Sequence, residues 1–277
     1  MSGPRGTPAG VAGPRAARSP ALTPQAIRQA AREGRGALTS GLAPGWLQGN
    51  LVVLPAAWAD EFAEFCRRNA GPLPLMAVGA PGDPWLPTLG TDVDVRRDLG
   101  GYQLWQHGVL AGEPSHLMDL WRPDDVALVL GCWFSQEAQL AQAGVRLRHV
   151  EQGIQGGLFR TRLDCVPAGR FDGPVVVSAR PFADDQVDTV ARLTAQLPLA
   201  HGAPLHRGDG AALGIDDLAR PDFGEPLPPL PGETMLYWGC GLTATEALRR
   251  AGVPRYVTHR PGRMLVTDLR ALPAAPD

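Results

Sequence analysis

Lysine is absent from this chain of 277 residues, so all 26 of its basic side chains are arginine. Acidic residues number 28, and the net charge is only -2. Such a balance gives no electrostatic reason to expect binding to nucleic acid or to an anionic membrane surface. No apolar run of about 18 residues occurs that could cross a membrane as a helix. We therefore expect neither nucleic acid nor membrane among the partners of this chain.

Cysteine is scarce as well. The four cysteines are far apart and form no Cys-x-x-Cys pair, a pattern that argues against a zinc ribbon or a redox motif. Because no secretion signal is recognisable, we expect reduced thiols and a cytoplasmic protein. Residues 1–20 are rich in proline, glycine and arginine, a composition typical of a disordered tail. The hydrophobic fraction of 44% indicates a globular protein with a substantial core.

Two apolar runs of strand length are each followed by glycine, cysteine and helix signals. The first, residues 126–130, predicts a strand that is buried on both faces. The second, residues 235–238, leads into a helix for which Thr243 and Glu246 are predicted to form a capping box. Since helices and strands alternate along the chain, the sequence predicts an α/β fold with a mixed sheet.

Four other segments give definite expectations. Thr23 is a good N-cap and Pro24 fits the first helical position, so a helix is predicted to begin there. One face of the next helix carries apolar side chains that we expect in the core, namely Trp58, Phe62, Phe65 and Cys66. Residues 92–98 alternate with period two and predict a strand edge with a solvated face of ion pairs. Residues 145–150 are predicted as a strand.

The segment from His201 to Asp209 combines two imidazoles, a guanidinium and a carboxylate with two glycines and a proline. This composition suits neither helix nor strand and predicts a shaped loop. Ionisable groups on such loops are often functional. A solvated surface turn is the alternative interpretation.

Polar side chains also follow two predicted strands. Cys132, Ser135 and Glu137 come after residues 126–130, where the N–H groups of a helix start would face an anion. The same residues also fit structural roles, as a core thiol, an N-cap and a first-turn acid. Arg180 follows a buried valine run, a position at which clamps for ligand carboxylates often lie.

Nine short motifs occur in order between about residue 24 and residue 269. They are Gly41-Leu-Ala-Pro-Gly45 with Gln48 and Asn50, Asp60 to Asn69, Gly131-Cys-x-Phe-Ser135-x-Glu137, Phe159-Arg160-Thr161, Ser178-x-Arg180-Pro181, His201-Gly-Ala-Pro-x-His206-x-Gly-Asp209, Pro221-Asp-Phe-Gly224, Trp238-x-Cys240-Gly241 and His259-x-Pro-Gly262. Together these motifs resemble the D-glutamate cyclase family, whose bacterial members are described as hydro-lyases.

The resemblance implies an α/β protein with a mixed-sheet three-layer domain and a second, smaller two-layer α/β domain. We assign residues 21–120 and 200–277 to the main domain and residues 121–199 to the smaller inserted domain. The resemblance also implies a hydro-lyase that cyclises D-glutamate to 5-oxo-D-proline, or that dehydrates a related small acid. The partner is then a small carboxylic or amino acid, no cofactor is expected, and a homo-oligomer is left open.

Ring closure needs a deprotonated amine, an electrophilic γ-carboxyl group and a hydroxide that leaves as water. Arg160 and Arg180 are our candidates for binding the two carboxylates. His201 or His206 would take the amine proton and return one to the leaving oxygen. Glu137 would hold the ammonium group or act as the base.

The remaining candidates would assist binding or stabilise charge. Backbone N–H groups of the turns at Cys132–Ser135 and at Cys240–Leu242 would stabilise the tetrahedral oxyanion. The other candidate substrate-binding side chains are Ser135, Thr161, Ser178, Asp209 and His259.

Three alternatives stay open at this point. A divalent metal held by His201, His206 and His259 would make the chain a metal-dependent lyase or hydrolase. A thiolate of Cys132 or Cys240 could instead attack the carboxyl group and form a thioester. The third alternative is a small-acid binding protein without catalytic activity.

Overall fold

The computed structural model describes residues 22–272. The predicted disordered tail, residues 1–20, lies outside the described residues. Within them the strands are β1 (Trp46–Pro55), β2 (Leu75–Val78), β3 (Tyr102–Gln106), β4 (Val109–Gly112), β5 (Asp125–Gly131), β6 (Leu158–Asp164), β7 (Pro174–Ala183), β8 (His206–Arg207), β9 (Glu233–Gly239), β10 (Arg255–His259) and β11 (Leu265–Arg270). The helices are α1 (Pro24–Arg32), α2 (Ala56–Arg68), α3 (Glu137–Gln142), α4 (Arg148–Gln152), α5 (Val187–Thr194) and α6 (Leu242–Arg250).

The strands form two sheets. The larger has the order β2-β5-β1-β10-β3-β4, and β11 pairs with the first half of the long strand β1. The smaller has the order β6-β7-β9-β8. The α/β class is confirmed, but the pairings within residues 22–272 are antiparallel, so the prediction of a mixed sheet is wrong. Strand β5 leads through helices α3 and α4 to β6 in the other sheet, and no parallel crossover results.

The larger sheet carries core on both faces because its two central strands are apolar at consecutive positions. In β1, Val52 and Leu54 belong to one hydrophobic cluster, and Leu51 and Val53 belong to another. All seven residues of β5 are buried, which confirms the prediction of a doubly buried strand. The first cluster also contains residues of α2, α6, β7 and β9, and it joins the two sheets through one continuous core.

The first two helices are as predicted. The Thr23 hydroxyl oxygen accepts the Ala26 N–H at 3.2 Å, as an N-cap should. In α2, Phe62, Phe65 and Cys66 are fully buried, and Trp58 packs against the same cluster from its edge.

No helix of residues 22–272 is long and apolar enough to cross a membrane.

Three local predictions are wrong. Residues 92–98 form turns rather than a strand, and Asp94 and Asp98 are buried instead of solvated, because arginines of α1 and of the same turns bind them. Residues 145–150 lead into helix α4. The Thr243 hydroxyl accepts the Val176 N–H at 2.9 Å and so ties α6 to β7 instead of capping the helix.

The division into two domains stays a prediction. Within residues 121–199, β5 lies in the larger sheet, whereas β6 and β7 lie in the smaller sheet. The smaller sheet is completed by β8 and β9, from outside that range. The two sheets thus exchange strands along the chain, and this exchange forms the site described next.

Candidate active site

A cavity of about 330 Å³ is lined by residues of both sheets, and its walls are mostly apolar. The larger sheet contributes parts of β1, β3 and β10, and the smaller sheet contributes β7 and the turn between β9 and α6. Six of the twelve predicted site residues line it, namely Cys132, Ser178, Arg180, His201, Cys240 and His259. The fold thus brings residues from distant parts of the chain to one cavity.

Arg180 is the buried cation of this cavity. The side chain projects from β7, only 2% of the residue is exposed, and its Nη1 donates to the Gln155 carbonyl at 3.0 Å. Its guanidinium lies 4.1 Å from the centre of the Trp133 ring. Its Nε has no hydrogen-bond partner, and no carboxylate of the described residues forms an ion pair with it. Burial lowers the pKa of Arg180 to about 10, so the group stays charged at neutral pH.

The backbone next to Arg180 requires glycine. Gly156 has a φ of +85°, and a Cβ atom there would lie 2.7 Å from Arg180 Nη1. Glycine therefore permits both the left-handed conformation and the close approach of the Gln155 carbonyl to the guanidinium. Any larger residue would displace the cation from the cavity wall.

Glu137 lies behind the cavity wall rather than in it. Its carboxylate accepts the Ser40 hydroxyl and the Gly41 N–H, each at 2.6 Å, and it lies 3.0 Å from His149 Nε2. The His149 ring is packed edge-on against Trp133, with ring centres 5.3 Å apart. Glu137 thus fixes His149, which supports the aromatic ring beneath Arg180, and it is the nearby negative charge that favours the charged guanidinium.

His201 is held in a strained backbone conformation. Its φ is +75°, which is uncommon for a residue with a Cβ atom and costs roughly 1 kcal/mol or more. The ring Nδ1 lies 3.0 Å from the Gly71 carbonyl. Because a carbonyl only accepts, Nδ1 carries the proton of the neutral ring and Nε2 is the proton acceptor. Burial lowers the pKa of His201 to about 4.

Three further polar groups of the cavity lining have no partner among the described residues. They are the Ser178 hydroxyl, Nδ1 of His259 and Nε1 of Trp133. Burial lowers the pKa of His259 to about 4 as well, so its ring is neutral. Buried polar atoms are rarely left unsatisfied without a reason, and their grouping around one cavity indicates a ligand that completes them.

The other six candidates do not line the cavity. Glu137 is one of them, and the others have local partners. Ser135 accepts the Gln48 N–H at 2.8 Å, and Thr161 donates to the Val175 carbonyl at 2.8 Å. His206 lies 2.7 Å from the Asp209 carbonyl in an exposed turn, where the Asp209 carboxylate accepts the Ala211 N–H. The catalytic role predicted for His206 and the substrate-binding roles predicted for Ser135, Thr161 and Asp209 stay predictions.

Arg160 lies outside the cavity but contacts a residue of its wall. It pairs with Asp222 at 2.9 Å and with Glu246 at 2.8 Å, and Glu246 lines the cavity. The predicted metal trio does not form, since no three metal-ligating side chains of residues 22–272 are grouped in a way that could hold an ion. His206 is the reason, because its ring faces the exposed turn and not the cavity.

The predicted oxyanion turns are largely occupied. The N–H groups of Cys132, Ser135 and Cys240 donate to the carbonyls of Gln48, Cys132 and Val176. The turn after β9 nevertheless lies against the cavity lining. Gly241 packs so closely on the Asn50 side chain that an added Cβ atom would lie 2.5 Å from it. Unpartnered side-chain donors, Ser178 and Trp133, are therefore better placed than these N–H groups to stabilise an oxyanion.

The sequence interpretation missed several lining residues. Asn50, Gln103, Trp105 and Thr245 line the cavity, as does Glu246, which was assigned only to a helix cap. The sequence predicts a strand over residues 145–150 and therefore gives no reason to single out His149. The motif with Asn50 was noted, but β3 offers no local signal that Gln103 and Trp105 face a site.

We expect Cys132→Ser and Cys240→Ser each to retain activity within about tenfold of the wild type. Burial raises the pKa of the Cys132 thiol to about 12 and also raises that of Cys240, so neither is a thiolate at neutral pH, as a thioester route would require. Steady-state rates of both variants and of Cys66→Ser, whose thiol is buried away from the cavity, check this. Loss of all turnover in one variant alone would restore the thioester route.

We also expect the free energy of unfolding to fall steeply below about pH 6.5. Burial lowers the pKa values of His149, His201 and His259 to about 4 in the folded protein, against roughly 6.5 in an unfolded chain. The unfolded chain therefore binds protons first, and stability present above pH 6.5 is lost as the pH approaches 4. Each histidine contributes up to about 1.4 kcal/mol per pH unit.

Urea denaturation between pH 7 and pH 4.5 checks this expectation. His149→Asn should show a shallower dependence than the wild type, and replacement of the exposed His116 by Asn should leave the dependence unchanged. Equal slopes in the wild type and His149→Asn would contradict it.

An enclosed apolar cavity with a buried guanidinium, two neutral imidazoles and unpartnered donors has the character of an enzyme active site. A family model described as D-glutamate cyclase matches residues 126–268. A relative from Verminephrobacter eiseniae (strain EF01-2), described as "Putative hydro-lyase", is 48% identical over 90% of this chain and 92% of its own length. Another of the same description, from Jannaschia sp. (strain CCS1), is 47% identical over 88% of this chain and 92% of its own length.

The chain therefore belongs to the D-glutamate cyclase family, and it is an enzyme of the lyase class. The predicted family and the predicted lyase class are both confirmed. Cytoplasmic location and a homo-oligomer stay predictions.

Proposed function

We propose that this enzyme cyclises D-glutamate to 5-oxo-D-proline with loss of water, or performs the same dehydration on a closely related small amino acid. The observation that carries the proposal is Arg180, a buried guanidinium without a carboxylate partner among residues 22–272. A buried unpaired cation is costly unless an anion binds to it. The family match then suggests which anion, since D-glutamate carries a carboxylate that survives the reaction.

The α-carboxylate of the substrate would bind Arg180. This group is charged in substrate, intermediate and product alike, and a guanidinium can bind it with two parallel hydrogen bonds. The amine and the γ-carboxyl group would then extend toward Ser178, His201 and His259, which line the same cavity. The unpartnered Ser178 hydroxyl could donate to the γ-carbonyl oxygen as negative charge develops on it.

Ring closure forms a bond between the amine nitrogen and the carbonyl carbon of the γ-carboxyl group, and it then expels the hydroxyl group of that carboxyl as water. One proton must move from the nitrogen to the leaving oxygen. A neutral imidazole, that of His201 or His259, can accept it in the tetrahedral intermediate and return it. Since burial lowers the pKa of both rings to about 4, their protonated forms would be strong donors to the leaving group.

Glu137 has an indirect role in this scheme. It does not line the cavity, so we replace its predicted contact with the substrate ammonium by a positioning role through His149, Trp133 and Arg180. The amine and carboxyl groups already share one molecule, and little is gained by bringing them together. Desolvation and the fixed charge of Arg180 would therefore supply most of the acceleration.

The proposal is tested by incubating the purified enzyme with D-glutamate, L-glutamate and other small amino acids, and by measuring loss of one water by mass. Formation of 5-oxo-D-proline supports it, and turnover only of other acids would contradict the D-glutamate assignment. His201→Gln and His259→Gln identify the imidazole, and His206→Gln is the matched control outside the cavity. We expect His206→Gln to retain full activity, and equal losses in all three variants would contradict the proton-transfer scheme.

A further inference from the structure

We propose that this site also cyclises D-glutamate derivatives whose γ-carboxyl group is already uncharged, the γ-esters and the γ-amide, with release of the alcohol or of ammonia. The inference rests on the proposed function, and it adds a rule for the substrate class. The cavity accepts one anionic group, so compounds with a single carboxylate bind better than compounds with two.

The charges of the cavity lining carry the inference. Among the described lining residues, Arg180 is the one cationic side chain. His201 and His259 line the cavity as neutral rings. The acid of the lining, Glu246, is already bound by Arg160 at 2.8 Å and by Arg249 at 3.2 Å. The described site therefore offers a binding charge for one carboxylate and no unpaired carboxylate for an ammonium group.

D-Glutamate does not match this arrangement in its form in water, which has two carboxylates and one ammonium group. One carboxylate can bind Arg180, but the other groups would lie against Trp105, Leu158 and Phe223, which line the cavity as well. An ion in such surroundings loses much of its solvation without compensation. Transfer of the ammonium proton to the γ-carboxylate removes both charges and leaves a neutral amine and a carboxylic acid, the forms that react.

The γ-group of an ester or amide is neutral without taking up a proton. Binding of these compounds therefore avoids the desolvation cost of the second carboxylate. The bonds balance in the same way as before. The substrate reacts as its neutral amine, after its ammonium proton has passed to water. The amine nitrogen attacks the carbonyl carbon of the γ-ester or γ-amide, the C–O bond of the ester or the C–N bond of the amide breaks, and one amine proton passes through the imidazole to the leaving group. The products are 5-oxo-D-proline and an alcohol or ammonia, and no oxidant, reductant or further reactant is required.

The charge rule is tested separately from leaving-group reactivity with two inert probes, glutarate and glutarate monomethyl ester. They lack the amine and cannot cyclise, so inhibition constants report binding alone. At pH 7.5 we expect the monoester to bind at least about tenfold more tightly than glutarate. The difference should narrow as the pH falls toward about 4.3, where the second carboxyl group takes up a proton. Equal binding at pH 7.5 would overturn the charge rule.

A matched pair of variants tests whether the missing second cation is the cause. Thr245 lines the cavity, so Thr245→Lys adds a charge there and Thr245→Met adds volume without charge. We expect Thr245→Lys to reduce the preference for the monoester by about tenfold or more, and Thr245→Met to keep it. The same preference in both variants, with both proteins folded, would overturn the explanation.

The activity is tested with D-glutamate γ-methyl ester and D-glutamine, with mass detection and with enzyme-free reactions subtracted. We expect a higher kcat/KM for the γ-methyl ester than for D-glutamate at pH 7.5. Turnover of D-glutamate without turnover of either derivative overturns the inference and leaves the proposed function intact. If none of the three compounds reacts, the proposed function fails together with the inference.

Discussion

Replacing Arg180 by methionine is expected to lower kcat/KM by about 30-fold to several thousand-fold, the equivalent of roughly 2–5 kcal/mol for the loss of one partner from a buried charged pair. The physical reason is that the guanidinium is buried and forms no ion pair with a carboxylate of residues 22–272. A substrate carboxylate in the variant would be desolvated without a counter-charge. Steady-state kinetics with the substrate found in the mass assay measure this loss.

The melting temperature separates binding from folding in this variant. A buried cation without an anion destabilises the substrate-free protein, so we expect the Arg180→Met melting temperature to equal or exceed that of the wild type. Arg207→Met is the matched control, because Arg207 lies on the exposed edge strand β8 and, within residues 22–272, pairs only with the exposed Asp188. Lost activity with a clearly lower melting temperature would indicate a structural role, and retained activity would refute the carboxylate site.

Arg28→Ala is expected to lower the free energy of unfolding by about 3–5 kcal/mol, the usual effect of removing one partner from a buried ionic network. Arg28 is fully buried in α1, binds Asp92 and Asp268, and donates to the Val266 carbonyl at 2.8 Å. Its removal leaves Asp92 and Asp268 without one of their positively charged partners and removes a hydrogen bond that joins α1 to β11. Urea denaturation followed by circular dichroism measures the change.

The chain offers a close control for this prediction. Arg35, just after α1, pairs with Glu33, but both side chains are exposed. Exposed pairs contribute little, so Arg35→Ala should change the free energy of unfolding by less than about 0.5 kcal/mol. An effect of Arg28→Ala as small as that of Arg35→Ala would show that the buried network does not anchor the helix.

Apolar pattern and strand position were sufficient to predict much of the site. The continuous run in β5 predicted a strand buried on both faces, and this placed Cys132 at its end. Arg180 was predicted in the same way, from the valine run before it. Both side chains line the cavity, although Arg180 lies within β7 and not at its end, and the chemical roles assigned to them stay predictions.

The sequence failed where side-chain direction depends on distant contacts. His201 and His206 are four residues apart, yet only His201 faces the cavity, because its left-handed backbone turns the chain and β8 places His206 on the surface. At residues 145–150, Val145 and Leu147 do alternate inward, but they form an extended lead into α4. That helix brings His149 to Glu137, a contact that no spacing in the sequence encodes.

Arginine at position 180 has a consequence for the working range of the enzyme. An ammonium group enclosed to the same degree could lose its proton within the physiological range, since buried lysines can titrate several units below their normal pKa. The guanidinium instead starts from a much higher value and remains ionised after burial. The affinity of the site for a carboxylate should therefore be constant between neutral and mildly alkaline pH. Any decrease at alkaline pH should arise from titration of the ligand and not of Arg180.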